Sequence, residues 1–386
     1  MTENSGILSP GTMLGMLGGG QLGRMFGMAA RRCGYRIAVY GDPADSPCGQ
    51  ISDLSFPGAF TDHEALARFA QSVSVVTYEQ ENIPVSTVEF LQNFVPVFPG
   101  PQLLKASQNR LLEKTSLRNI GIPTADFLRI TSAEDLIQGL AAFGGAGILK
   151  TVTMGYDGKG QAKIKETDDC HAIWKDFGVS EAILERLVDF QFELSIVASR
   201  FSDDSCHFFT PALNHHVNHI LDVSISPCPE ISARHTKEAN LIAREILEHF
   251  DVRGVLCVEF FATRDGHLLV NEIAPRPHNS GHLTIEACHS SQFEQQFRAV
   301  CGLPSGDVTP RSPAVMINLL GEHLLNVTPE RWSSVFAMTD VYVHMYGKAE
   351  ARIGRKMGHI TVLAGDSQTA EHRAREARRR LGFSGP

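Results

Sequence analysis

The chain has no C-x-x-C pair, although it carries eight cysteines (Cys33, Cys48, Cys170, Cys206, Cys228, Cys257, Cys288 and Cys301) in 386 residues. Scattered thiols do not supply the paired ligands of a zinc or dithiol site, so they read as reduced cysteines of a cytoplasmic protein. No apolar run approaches the ~18 residues needed to span a bilayer, and no charged segment followed by an apolar stretch opens the chain. The expectation is a soluble intracellular protein with no membrane partner. Positive charge is also in short supply, because 35 Lys and Arg against 43 Asp and Glu leave a net charge of −8. Without a broad cationic field, nucleic acid is excluded as a partner and a small ligand is expected. There is no internal repeat and no low-complexity tract. The tail from Glu371 to Arg380 carries five arginines against two glutamates, which a solvated final helix explains.

What is present exceeds one core: 386 residues with 34 Gly and 43% hydrophobic content predict two or three packed domains. Residues 1–103 alternate strand and helix, the pattern of a parallel α/β domain of Rossmann-like type. The stretch Val95-Pro-Val-Phe-Pro-Gly-Pro101 punctuates its end, and one helical segment is predicted from Gln102 to Asn119. From Ala146 the pattern turns to strands and Gly-rich turns, so 104–310 is read as α+β, followed by a small piece at 311–386.

Four features carry chemistry. Gly18-Gly-Gly-Gln-Leu-Gly23 lies between a strand and a helix and fits G-x-G-x-x-G, with the acid Asp42 ending the next strand. On these residues alone, a nicotinamide dinucleotide, another phosphate and a plain tight turn all stay open. Next, the strand-like runs Val255–Ala262 and His267–Ile273 meet at Asp265-Gly266. A two-residue hairpin loop there sets Glu259 opposite Glu272, on a face shared with Val255, Cys257, Phe261, Leu268 and Val270. Opposed like charges destabilise a sheet, so a cation is expected between them: Mg²⁺ bridging phosphates, or in the plainer reading a proton or a lysine. Third, Gly155-Tyr-Asp-Gly-Lys-Gly160 follows the strand holding Lys150 and reads as a Gly-rich hairpin over phosphates, with Lys150 and Lys159 as its cations, or as a surface hairpin. Fourth, Arg276, His278, Asn279 and His282 crowd a strand end, which suits an anion. A second cationic run is Lys348, Arg352, Arg355, Lys356 and His359, while His215, His216 and His219 have metal-like spacing without any sign of a shared face.

Together these stretches resemble the ATP-grasp superfamily, and within it the N5-carboxyaminoimidazole ribonucleotide synthetases. The most specific are Gly18 to Met25, Gly155 to Gln161, Asn271 to His282 with Ser291-Gln-Phe293, and Gly354-Arg-Lys-Met-Gly-His359. The resemblance implies an ATP-grasp fold over 104–310 with a mobile lid at about 125–200, an N-terminal Rossmann-like domain and a small C-terminal domain. It implies ATP and Mg²⁺ as cofactors, bicarbonate and 5-aminoimidazole ribonucleotide as substrates, and a homodimer. ATP is then expected at Arg110, Lys150, Gly155, Tyr156, Asp157, Gly158, Lys159, Gly160, Gln161, Glu185, Arg186, Leu187, Val188, Glu193, His216, Asn271 and Glu272. The ribonucleotide falls to Gly20, Gln21, Leu22, Glu79, Tyr156, Asp157, Arg276, Lys348 and Arg355, the metal to Glu259 and Glu272, and catalysis to Arg276, His278, Asn279 and Lys159. Val152, Met154 and Asn218-His219 depart from the family pattern and bear on the lid and on His216. The rival readings are another ATP-grasp ligase or formyltransferase of purine metabolism, an NAD-dependent dehydrogenase, and a non-catalytic nucleotide sensor.

Overall fold

The computed structural model describes residues 6–153, 155 and 160–383. Among these residues the chain forms three sheets. The first is parallel, with β1 (Met13–Leu17), β2 (Arg36–Gly41), β3 (Leu54–Pro57) and β4 (Val75–Tyr78) in the order β3-β2-β1-β4. Helices α1 (Gln21–Arg32), α2 (His63–Gln71) and α3 (Val85–Leu91) accompany it. The single helix expected over Gln102–Asn119 is two, α4 (Pro101–Ser107) and α5 (Arg110–Asn119). Asn109 breaks it: its backbone is extended and its side chain accepts from Leu112 N at 2.9 Å, which makes it the cap of a new helix.

The second sheet is antiparallel and small, with β5 (Phe127–Ile130), β6 (Ala146–Thr151), β7 (Gln161–Lys165) and β8 (Ala182–Arg186) in the order β5-β8-β6-β7. Helices α6 (Ala133–Ala142) and α7 (Cys170–Phe177) cover it, burying Leu136, Leu140, Leu149 and Leu184 in one core.

The third sheet contains β9 (Phe190–Arg200), β10 (Cys206–Phe208), β11 (Ala212–Val217), β12 (Ile220–Ser226), β13 (Gly254–Thr263), β14 (Leu268–Ala274), β15 (Ala314–Leu320), β16 (Val341–Met345) and β17 (Lys356–Leu363). Its order is β14-β13-β9-β11-β12-β15-β17-β16, with β10 added beside β9. Helix α8 (Ala233–His249) lays the stripe Ala239, Ile242, Ala243, Ile246 and Leu247 on one face, the spacing of a core-facing helix. After the turn α9 (Thr284–Ala287), helix α10 (Gln292–Val300) packs Phe293 and Phe297 against Leu22, Met25 and Phe26 of α1, which docks the first sheet onto the third. The piece expected as a small C-terminal domain extends this sheet: Ser226 pairs with Ala314 and Val223 with Ile317. The segment nevertheless buries an apolar cluster largely of its own, with Val315, Ile317, Leu319, Ile360 and Val362 packed together and Leu213 and Ile225 of β11 and β12 joining it.

Helices α11 (Gly321–Leu324), α12 (Pro329–Phe336) and α13 (Ser367–Leu381) close the C-terminal end. The tail is less solvated than its arginines imply, since Ala370, Ala374, Ala377 and Leu381 bury one face of α13. Arg378 is itself 2% exposed and donates to Asp222 of β12. No helix among the described residues is long and apolar enough to cross a membrane. Removing one partner of a buried pair leaves an uncompensated charge, so Arg378→Met is expected to cost about 3–5 kcal/mol of stability. Adding Asp222→Asn should return part of it, as thermal unfolding of the two variants measures.

Candidate functional site

The β13–β14 hairpin sets Glu259 opposite Glu272, as expected from the sequence, but by another route. Its loop has three residues, because Thr263 N bonds His267 O at 2.9 Å and Gly266 takes a left-handed φ of +81°. That shifts the pairing by one, so Phe260 faces Val270, until Asn271 bulges out and restores the register at Glu272. The bulge also exchanges faces. Leu268 and Val270 point to the α8 core instead of lying beside the carboxylates, while Phe261, paired with Leu269, keeps its place next to them.

Both carboxylates line a cleft of about 680 Å³ walled by the small sheet, the large sheet and the start of α5. Glu259 is 2.9 Å from His278 Nε2, and Glu272 is 3.6 Å from Arg110. Burial disfavours the charge on Glu259, but the neighbouring imidazole outweighs it and holds the carboxyl low. Two further charged pairs face the cleft. Arg276 donates to Glu81, a residue that motif reading missed because it lies beyond the end of β4, far away in sequence. His216 Nδ1 meets Glu193 Oε2 at 2.8 Å, and that hydrogen bond outweighs burial to raise the histidine. Asn279 stands apart: it is 8% exposed and neither amide atom has a hydrogen-bond partner among the described residues, though it lines the cleft. Phe190 and Phe261, stacked 4.7 Å apart, give one wall an aromatic surface that the sequence did not announce.

The loop after β14 is held from beneath. Gln292, fully buried, accepts from His278 N at 2.9 Å and donates to His278 O at 2.7 Å, so Ser291-Gln-Phe293 serves the loop of the preceding motif. His278 Nδ1 lies 2.9 Å from Ser280 Oγ, and a chain of hydroxyl and amide contacts continues through Ser195 and Asn214 to Ser224. His282 does not join the anion-binding group. It is 1% exposed, hydrogen-bonds Gln292 at 3.2 Å and lies against His359, and burial keeps it well below the usual imidazole range.

Gly155, Gln161, Asn271 and Glu272 line the same cleft, and Gly155 O accepts from Arg110 at 3.2 Å. Lys150 and Glu185 form a buried ion pair of 2.7 Å on β6 and β8. Arg186 turns outward to Asp126 at 3.2 Å, while Leu187 and Val188 begin the connection from β8 to β9. Gly160 adopts φ +70°, and its carbonyl accepts from Thr151 N at 2.8 Å. Tyr156, Asp157, Gly158, Lys159 and Met154 lie outside the described residues. Val152 is buried and lines the cleft, and its carbonyl accepts from Arg110 N at 2.9 Å. Asn218 and His219 both have positive φ, so they make the turn between β11 and β12 that Asp-Gly would make. His215, His216 and His219 do not converge: His216 bonds Glu193, His219 bonds Gln161, and His215 is exposed. Among the described residues no group of three or more His, Cys, Asp or Glu could hold a metal.

A second cavity of about 420 Å³ brings Gly20, Gln21 and Glu79 together with Lys348 and Arg355. Here the glycine loop is already engaged. Glu79 accepts from the amides of Gly20, Leu22 and Gly23 at 2.8, 3.1 and 3.2 Å, and Asp42 accepts from Gly19 at 2.6 Å. Burial raises the Glu79 carboxyl, against the amides of Gly23 and Gly20 that favour its charge. A dinucleotide pyrophosphate needs those same amides, so the geometry opposes the dehydrogenase reading. The cationic run near the C-terminus is divided. Lys348 and Arg355 face this cavity, Lys356 lines the first cleft, and Arg352 pairs with Glu350 at the surface. His359 leaves the patch altogether, fully buried and stacked 4.4 Å from His344, and burial drives it well below the usual range.

Residues 12–108 match the ribonucleotide synthetase preATP-grasp domain, 115–293 the ATP-grasp domain, and 314–373 the phosphoribosylaminoimidazole carboxylase C-terminal domain. The chain is 43% identical to the N5-carboxyaminoimidazole ribonucleotide synthase of Brucella melitensis, over 92% of this chain and 97% of the relative. It is similar to an N5-carboxyaminoimidazole ribonucleotide synthetase solved with ADP, at 39% identity, TM-score 0.91 and 98% of both chains. It is also similar to the Aspergillus clavatus synthase solved with ADP and 5-aminoimidazole ribonucleotide, at 29% identity, TM-score 0.86, and 96% and 98% of the chains.

Next to the cleft, Glu113 is 2% exposed and accepts from Ile273 N at 2.6 Å. Burial is the main reason that its carboxyl is raised from 4.5 to about 7. Between these values the folded chain keeps a proton that the unfolded chain has released, so stability is full below the lower value and falls as pH rises through the upper one. Glu113→Gln should remove that loss. Thermal unfolding at about pH 5 and pH 8 checks it, with the variant gaining on the parent at the higher pH.

Proposed function

The chain belongs to the N5-carboxyaminoimidazole ribonucleotide synthase family, ATP-dependent ligases of purine biosynthesis, and on that premise we propose how its two cavities divide the reaction. The larger cleft takes ATP and bicarbonate, and the smaller one the phosphate end of 5-aminoimidazole ribonucleotide. One observation carries the reading: Glu259, Glu272, Arg276, His278 and the unpartnered amide of Asn279 converge on one cleft wall.

In this reading Arg110 and Lys150 meet the ATP phosphates, with Gly155 and Gln161 beside them. The backbone from Glu185 to Val188 and the Phe190–Phe261 wall flank adenine, with Glu193 and His216 at the ribose. Two opposed carboxylates suit Mg²⁺, which takes its remaining oxygens from phosphates and water, whereas an all-protein cage would need more ligands than Glu259 and Glu272 supply. When bound there, the ion would neutralise phosphate charge. A bicarbonate oxygen attacks the γ-phosphorus and ADP departs, giving carboxyphosphate. Arg276, held by Glu81, presents its fork to the new charge, and the Asn279 amide supplies neutral donors. The exocyclic amine of the ribonucleotide then takes the carboxyl carbon, directly or as CO₂, and inorganic phosphate leaves. Lys348 and Arg355 hold the 5′-phosphate, because Glu79 already occupies the amides of the glycine loop. ADP release measured with bicarbonate and ribonucleotide, separately and together, tests the whole reading; release that ignores bicarbonate would point to another ATP-grasp ligase.

Glu272→Gln keeps the shape and removes one charge from the carboxylate pair. Turnover should fall at least about 100-fold, about 3 kcal/mol of transition-state stabilisation, while nucleotide binding partly survives. Lys348→Met should raise the KM for ribonucleotide and leave ATP binding intact. Arg276→Lys should depress ADP formation even at saturating ribonucleotide, since lysine offers a point charge without the fork. Steady-state ADP release on the three variants separates these outcomes.

A further inference from the structure

Three residues on one face of α5, at the spacing i, i+3 and i+4, hold the β14 wall of the cleft. Arg110 reaches Glu272, Glu113 accepts from Ile273 N, and Lys114 Nζ donates to the Asn271 carbonyl at 3.0 Å. That carbonyl belongs to the bulge residue of β14. Lys114 also lies 3.5 Å from Glu185 Oε1 on β8, so it joins the small sheet to the large one. It is 1% exposed, too deep to touch a ligand in the cleft.

Glu185 therefore has two ammonium partners. Lys150 donates to its Oε2 at 2.7 Å, whereas Oε1 has no hydrogen bond and only the looser approach of Lys114. Lys150 sits on β6 between Ile148 and Val152 on one strand face, and both of those residues line the cleft. One carboxylate between two ammoniums leaves one positive charge in excess. We propose that Lys114 is a positioning residue that holds the charge of Glu185 so that Lys150 is free to turn to the phosphates of ATP. In the structure Lys150 rests on Oε2; when nucleotide binds it moves to phosphate, and Lys114 keeps Glu185 from remaining an unpaired buried charge. The electrostatics agree with this order. Burial opposes the charge on Glu185, and Lys114 and Lys150 together outweigh it, holding the carboxyl at about 2.

The inference rests on the assignment of Lys150 to the ATP phosphates, and the two can fail separately. Lys114→Met, similar in length and apolar, is expected to raise the KM for ATP roughly tenfold or more, with kcat at saturation and the KM for ribonucleotide nearly unchanged. The inhibition constant of adenosine, which has no phosphate, should stay within about twofold. Lys114→Arg should stay close to the parent. In the double variant Lys114→Met/Glu185→Gln, no carboxylate competes for Lys150, so the KM for ATP should fall back toward that of the parent. A purely structural lysine would give no such recovery and would weaken adenosine equally. If Lys114→Met leaves the KM for ATP unchanged while Lys150→Met raises it, or if the double variant is no better than the single one, the inference is overturned. If Lys150→Met itself leaves ATP affinity intact, the phosphate assignment falls first.

Discussion

A buried carboxylate has to be matched by a cation or by donors, and that constraint organises this site. Glu259 has His278, Glu272 has Arg110, Glu81 has Arg276, Glu193 has His216, and Glu185 has Lys114 and Lys150. Glu79 is matched by three amides of the glycine loop. Each pair fixes the orientation of a side chain in or beneath the two cavities. Preorganisation of this kind limits the reorganisation needed at the moment of reaction.

The matching also explains why three sheets are needed. The small sheet contributes Lys150 and Glu185, the large sheet Glu193, His216 and the Glu259–Glu272 pair, and the end of β4 contributes Glu79 and Glu81. Two residues apart on one loop, Glu79 belongs to the smaller cavity and Glu81 to the larger, so a short peptide adjoins both cavities. Helix α10 keeps that alignment by packing the first sheet onto the third, while its first residue, Gln292, clamps the backbone of His278. Domain packing and support of the cleft thus share one helix.

The C-terminal segment shows how burial changes a side chain's chemistry. A run of basic residues looks like one cationic face in sequence, yet β17 alternates its residues between environments. Lys356 reaches the larger cleft, while His359 is stacked among His282 and His344 with Tyr346 Oη at 2.9 Å from its ring. Inside such a stack a charged imidazole loses hydration and gains like-charged neighbours, so neutrality is favoured.

Much of this was fixed by local pattern. The strand–helix alternation of the first domain and the opposition of Glu259 and Glu272 are legible because period, turn residues and short-range pairing act within a few residues. Even there the hairpin came out right because a three-residue loop and the Asn271 bulge offset each other, and neither was written in Asp265-Gly266 alone. The glycine loop was visible, but not that Glu79, 59 residues on from Gly20, would fill it. Nor did spacing disclose Glu81 beneath Arg276, the buried histidine stack, or Lys114 between two sheets. Those contacts join segments far apart in the chain, and their partners are chosen by how sheets and helices pack and by which charges burial leaves to be matched; only the tertiary structure decides that.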